Sequence, residues 1–172
     1  MPARQPLPRL WLMTDERLGD RLFDAVARLP EGAGIVFRHT SLAEAARRAL
    51  FEEVKQAAGG PVLLAGPAEL ALTWGAAGSH GRHPGATTAP AHDLAEIRAA
   101  EAAGASLVFL SPVYPTRSHP DAPVLGAEGF AALASQTQLP VVALGGMNAA
   151  RAKALSGAYG WAGIDAWAAG PD

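Results

Sequence analysis

Short apolar runs recur along this chain, each followed by a stretch with helical spacing. That alternation most narrows the folds open to it. Residues 10–14 (LWLMT), 35–37, 61–65 (PVLLA), 107–110 (LVFL), 140–144 (PVVAL) and 163–167 read as strands. Between the first two, residues 17–29 place Leu18, Leu22, Val26 and Leu29 at helical intervals. Ser41 with Glu44 three residues later forms a capping-box pattern, opening a helix whose buried stripe would be Leu42, Ala45, Ala46, Ala49, Leu50 and Val54 and which Gly59 and Gly60 would end. A short helix is expected over 67–72. Asp93 caps a helix that Gly104 ends, 127–135 make another, and Asn148 caps one that stops at Gly157.

Repeated strand–helix units imply parallel strands with right-handed crossovers, and uninterrupted apolar strands imply burial on both faces. Residues 75–91 break the rhythm, with room for two very short strands, near 78–80 and 86–89, and no helix between them. Counting both makes eight strands and an α/β fold, a (β/α)8 TIM barrel; six or seven strands would make a doubly wound sheet. At 172 residues the chain is shorter than the usual floor of about 200 for such a barrel. The expectation is therefore one domain, residues 1–172, a shortened barrel lacking the helix between strands four and five.

Composition removes several function classes. Net charge is −2, leaving no basic surplus for a nucleic-acid backbone. No apolar run approaches the roughly 20 residues of a membrane span, and residues 1–9 lack the apolar core of a signal peptide. The absence of cysteine rules out disulfides and thiolate metal sites and fits a cytoplasmic location.

Ligands of such barrels bind at the C-terminal ends of the strands. Gly145-Gly146 follow the seventh strand there. They either let backbone N–H groups approach a phosphate, helped by the next helix's N-terminus, or simply make a tight turn. The loop 111–121 (SPVYPTRSHPD) offers hydroxyls on Thr116 and Ser118 and charge-assisted donors on Arg117 and His119, a composition suited to an anion or to a solvated loop. His80 and His83 have H-x-x-H spacing, but the glycines around them argue against a metal-binding helix. His92, just before the capping Asp93, is either a helix-entry residue or a proton carrier.

The stretch SPVYPTRSHPDAPVLGAEGF (111–130), followed by PVVALGG (140–146), resembles the thiamine-phosphate synthase / TenI family, whose pattern is G-P-V-[FY]-P-T-x-[ST]-K-x-x-A-x-x-x-G-x-x-G and then P-V-x-A-I-G-G. LWLMTD (10–15), FRHT (37–40), PVLLAGPAELAL (61–72), GSH (78–80) and AHDLAEIRAAEAAGA (91–105) resemble further family segments, more weakly before residue 91. The resemblance implies a barrel that binds a small heteroaromatic phosphate. It gives Thr116 and Ser118 the role of pyrophosphate-contacting hydroxyls, puts Gly146 in a thiazole-phosphate loop and makes Arg38 a cation of the pyrophosphate site.

The departures shape the functional expectation. Gly66 stands where the family's N-D-R motif has Asp, and Pro84 and Gly85 replace a second Asp; those two carboxylates hold Mg²⁺ in synthases. Thr40 and Val36 replace a Lys and a Gln, and His119 replaces the loop Lys. TenI-like members, which also lack the metal site, are associated with tautomerising a thiazole carboxylate phosphate, and His92 aligns with the family's strand-five His. The expectation is a TenI-like tautomerase with His92 as acid/base and with Arg38, Thr116, Arg117, Ser118, His119, Gly145 and Gly146 holding the anion. It needs no cofactor, Mg²⁺ entering only for a true synthase. No nucleic-acid or membrane partner is expected, and a homodimer is left open. The alternatives are an active synthase joining thiazole phosphate to a pyrimidine pyrophosphate, and a non-catalytic binding or regulatory protein, which a mouth plugged by Trp74 or Trp167 would favour.

Overall fold

A computed structural model describes residues 6–117 and 120–168. Eight parallel strands close into a barrel in sequence order, β8 pairing back onto β1. They are β1 (Leu10–Met13), β2 (Gly34–Phe37), β3 (Val62–Ala65), β4 (Gly78–His80), β5 (Thr88–Ala91), β6 (Leu107–Leu110), β7 (Val141–Ala143) and β8 (Gly160–Gly163). Around them lie α1 (Leu22–Ala27), α2 (Glu44–Ala57), α3 (Ala68–Thr73), α4 (Leu94–Ala102), α5 (Gly126–Ala134), α6 (Ala149–Lys153) and α7 (Asp165–Ala168), with a 3-10 segment, Glu16–Arg21, before α1. Turns at residues 81–87 join β4 to β5 with no helix.

Alternate residues of six of the strands fill the barrel: Trp11, Met13, Val36, Leu63, Leu107, Phe109, Val142 and Ala162 form one buried cluster. Trp11 meets Phe109 edge-on, ring centroids 5.3 Å apart. Gly34 makes room for that indole, since a Cβ there would lie 2.3 Å from the Trp11 ring. The opposite strand faces pack against the helices in two outer clusters. Trp74 belongs to the outer core beside Phe51, and Trp167 stacks on Trp161 at 4.8 Å, so both pack outside the barrel.

The structure corrects several local expectations. Ser41 does not cap α2. Its N–H and hydroxyl both donate to the Glu16 carboxylate, residues 40–42 form a turn and bend, and the helix starts at Glu44 without a side-chain cap. The buried face of α2 is Arg47, Phe51 and Val54, while Leu42, Ala45, Ala46 and Ala49 are exposed. Arg47 turns inward because its guanidinium donates to the carbonyl oxygens of Arg38 (2.9 Å) and Ala65 (2.6 Å), which end β2 and β3. The last strand lies at Gly160–Gly163, not 163–167: register with β1 (Leu10↔Trp161, Leu12↔Gly163) sets it, and the apolar residues beyond fold into α7. Gly19, at φ +50, splits the helix expected over 17–29.

Candidate functional site

Strand alternation decides which side chains reach the barrel axis at the C-terminal end. Thr88 and Pro90 share the inward face of β5, and His92 continues that alternation; Ser111 does the same beyond Leu107 and Phe109, and Gly146 beyond Val142. Arg38 follows Val36 in the same way, and His80 pairs across β4–β5 with Thr88. These residues ring one mouth.

The Gly145-Gly146 turn and the loop after β6 are built against each other. Both glycines have positive φ (97° and 60°). A Cβ on Gly145 would sit 2.7 Å from Pro112 Cα, and one on Gly146 would sit 2.6 Å from the Pro115 carbonyl oxygen. The loop is tied down by Val113 N–H donating to Leu144 O (2.9 Å) and Tyr114 N–H to Gly145 O (3.0 Å). The N–H groups of Gly145 and Gly146 donate to no acceptor among the described residues. Helix α6 is only five residues long, so the expected help from a helix N-terminus is small; Asn148 caps it, accepting from Arg151 N–H at 2.9 Å. Arg151 instead folds its guanidinium back to donate to Gly146 O and lies 4.8 Å over the Tyr114 ring.

His92 is exposed at the rim. Its Nδ1 lies 2.8 Å from the Ser111 carbonyl oxygen. A carbonyl only accepts, so Nδ1 carries the hydrogen and, in the neutral ring, Nε2 keeps the lone pair. The His92 N–H donates to Glu96 at 2.8 Å, and Glu96 also takes Arg82 at 2.9 Å.

Across the mouth, Arg38 donates to Thr14 O (2.7 Å) and to the Asp15 carboxylate (3.1 Å). His80 is buried, with Nδ1 2.9 Å from the Thr88 hydroxyl and its ring edge-on to Phe109. Burial pushes its pKa down to about 4, and the nearby positive charges of Arg38, Arg82 and His83 add to that. His83 does not combine with His80 as an H-x-x-H pair on a helix; its Nε2 donates to Gly66 O at 2.9 Å.

The structure thus brings together Gly145, Gly146, the start of the loop and, through Ser111, His92. Arg38 stands on the far side, paired with Asp15. Thr116 is half-buried and Arg117 exposed, while Ser118 and His119 lie outside the described residues. Sequence reading missed Arg151 and the inward role of His80. Strand alternation through Gly78 could have found His80, but no signal in the sequence marks Arg151.

Residues 85–167 match the family model for thiamine monophosphate synthase. The thiamine-phosphate synthase of Chloroflexus aurantiacus is 30% identical over an alignment covering 95% of this chain and 87% of that protein. The chain belongs to the thiamine-phosphate synthase family. The synthase of Myxococcus xanthus is 49% identical over a segment covering 33% of this chain and 26% of its own. In the relatives matched at higher identity, the aligned segment spans between 26% and 41% of the relative's length. A thiamine phosphate pyrophosphorylase from Pyrococcus furiosus has the same fold, with TM-score 0.71 at 24% identity, covering 95% of this chain and 88% of that one. No helix among the described residues is long and apolar enough to cross a membrane.

Family synthases imply Mg²⁺, and the donor set of this mouth does not fit it. Mg²⁺ is usually held by one or two carboxylates. Gly66 ends β3 and Gly85 lies in the β4–β5 turn, neither with a side-chain oxygen. Asp15 is held by Arg38, Glu96 by Arg82 and the His92 N–H, and Glu16 by Ser41. Among the described residues no three His, Asp or Glu side chains converge on a point.

Proposed function

We propose that the barrel mouth binds a phosphorylated heteroaromatic of the thiamine-biosynthesis type, its phosphate on the Gly145-Gly146 turn, with His92 carrying a proton. The observation that supports this reading is the pair of successive N–H groups of Gly145 and Gly146, just beyond the end of β7, which have no acceptor among the described residues, with the Arg151 guanidinium beside Gly146. Amides in such a turn form an anion-binding concavity, and a guanidinium adds charge-assisted donors. Thr116 and Arg117 lie on the loop that packs on the turn; Ser118 and His119 follow them in sequence, and Arg38 faces the group from the opposite rim.

The chemistry that the chain's own residues favour is a proton shift. His92, tied at Nδ1, offers Nε2 to remove a proton from one position of a bound thiazole and return it to another. A positioned acid/base of this kind contributes typically 10²–10⁴-fold. A second reading is the synthase reaction itself, the joining of thiazole phosphate to a pyrimidine pyrophosphate. The names of the curated relatives favour it over isomerisation. In that case Arg38, Arg117 and Arg151 would take the charge of the departing pyrophosphate.

A thermal-shift titration with thiazole phosphate and with its carboxylate tests the binding. At 100 times the dissociation constant the ligand should stabilise the fold by about 2.7 kcal/mol. Turnover followed by NMR then separates the chemistries. Interconversion of thiazole tautomers, falling about 100-fold or more in His92→Gln, supports the proton shift. Thiamine phosphate formed from the two substrates with Mg²⁺ present supports the synthase. Binding without either turnover leaves a non-catalytic binding protein.

A further inference from the structure

We propose that a groove on the outside of the barrel, between the 3-10 segment, α1 and the start of α2, is a second ligand site that takes a flat, amino-substituted heteroaromatic. The groove is open to solvent and offers about 410 Å³, within the range of small-molecule sites. Leu22, Phe23, Leu42 and Leu50 make its walls, and Glu16, Asp20 and His39 supply the polar groups. Phe23 and Leu42, both lining it, are large apolar side chains left 37% and 36% exposed.

Hydrogen bonding specifies what the groove can hold. His39 is the one non-glycine residue with positive φ (33°) among those described, and its ring stacks on Phe37 at 4.8 Å. Its Nδ1 lies 3.0 Å from the hydroxyl of Thr14, a fully buried side chain. That hydroxyl already accepts from Arg38 N–H at 2.9 Å, and among the described residues its own hydrogen has His39 Nδ1 as its acceptor. Nδ1 is therefore the acceptor and Nε2 bears the hydrogen. Burial keeps the imidazole neutral by lowering its pKa. Nε2–H has no partner among the described residues, so the groove presents one fixed N–H donor.

Two carboxylates line the same groove. Asp20 makes no hydrogen bond or ion pair among the described residues, and Glu16 keeps acceptor capacity beyond its contacts with Ser41. No lysine or arginine among the described residues lines the groove. An anion would meet two like charges, and an aliphatic amine would leave Nε2–H unanswered. A ring nitrogen beside an exocyclic amino group answers both: the nitrogen accepts from His39, the amino group donates to a carboxylate, and the ring lies against Phe23 and Leu42. This site lies outside the barrel mouth, joined to it through the Thr14 hydroxyl, and the proposal does not rest on the reading given for the mouth.

The test is an NMR titration of the full chain at pH 7.5, following backbone amides, with 2-aminopyrimidine as probe. Pyrimidine, which lacks the amino donor, and aniline, which lacks the ring acceptor, serve as controls. Saturable shifts are expected at Gly19, Phe23, His39 and Leu42. Each control should bind about fivefold more weakly, as should the probe to His39→Asn, a residue that tolerates positive φ. Leu42→Trp, filling the groove from its exposed edge, should abolish the shifts while the rest of the spectrum is retained. The proposal is overturned if wild-type protein shows no saturable shifts at these residues, if the shifts cluster at Gly145, Gly146 and His92 instead, or if pyrimidine and aniline bind as well as the probe. The controls need no variant, so the result stands even if Leu42→Trp fails to fold.

Discussion

From β5 to β8 the mouth is shaped by main chain, whereas from β1 to β4 it is shaped by side chains. In the first half, Gly145 and Gly146 form a turn that no other residue could occupy beside Pro112 and Pro115, and His92 hangs on a carbonyl oxygen. In the second half, Arg38 holds Asp15, Thr14 links Arg38 to His39, Arg47 ties off the carbonyls ending β2 and β3, and His80 sits buried against Phe109. Resemblance to the family follows the same division. The matching family model covers residues 85–167, and the motif departures fall mostly before residue 91. A turn built from main chain works with whatever side chains surround it, so one half can keep its geometry while the other carries glycine, proline and threonine where the family pattern has carboxylates and lysine.

Three perturbations sharpen or break this contrast. Gly145→Ala should have the largest effect. A Cβ there meets Pro112 backbone at 2.7 Å in a conformation with φ +97, so the turn must move, at a cost of about 4 kcal/mol in denaturant unfolding. A cost below about 1 kcal/mol would mean that the turn is adaptable rather than built by main-chain contact.

Acid titration should come next, and it acts on the other half. His80 is held neutral with its pKa near 4, against 6.5 when exposed in the unfolded chain. Between those values the unfolded state binds a proton that the folded state does not, so stability is full above 6.5 and declines as pH falls towards 4. The loss amounts to about 3 kcal/mol. Chemical unfolding measured across that window should show an uptake of about one proton, and His80→Gln should flatten the slope. An unchanged slope in the variant would move the acid sensitivity elsewhere.

Arg47→Leu should have the smallest effect of the three. It strands the carbonyls of Arg38 and Ala65 and should cost about 2 kcal/mol, while its exposed neighbour Arg48→Leu costs under about 0.5 kcal/mol. Equal costs would show that water can replace the guanidinium at the strand ends.

Much of the fold was legible in the sequence. Six apolar runs spaced by amphipathic stretches imply a parallel sheet covered by helices, and two very short strands within residues 75–91 bring the count to the eight of a closed barrel; Asp93 and Asn148 mark helix starts because their side chains can accept the N–H groups that α4 and α6 leave free. The glycine turn and its motif were legible because close backbone approach demands a residue without a Cβ. Other features depended on partners distant in sequence. Ser41 turned to Glu16, Arg47 turned inward to two carbonyls, the last strand took its register from β1, and Arg151 reached Gly146. Local sequence states what each side chain can donate or accept. Which partner it meets is decided only when closing the barrel brings the strand ends together, because burial there makes every unpaired polar group costly.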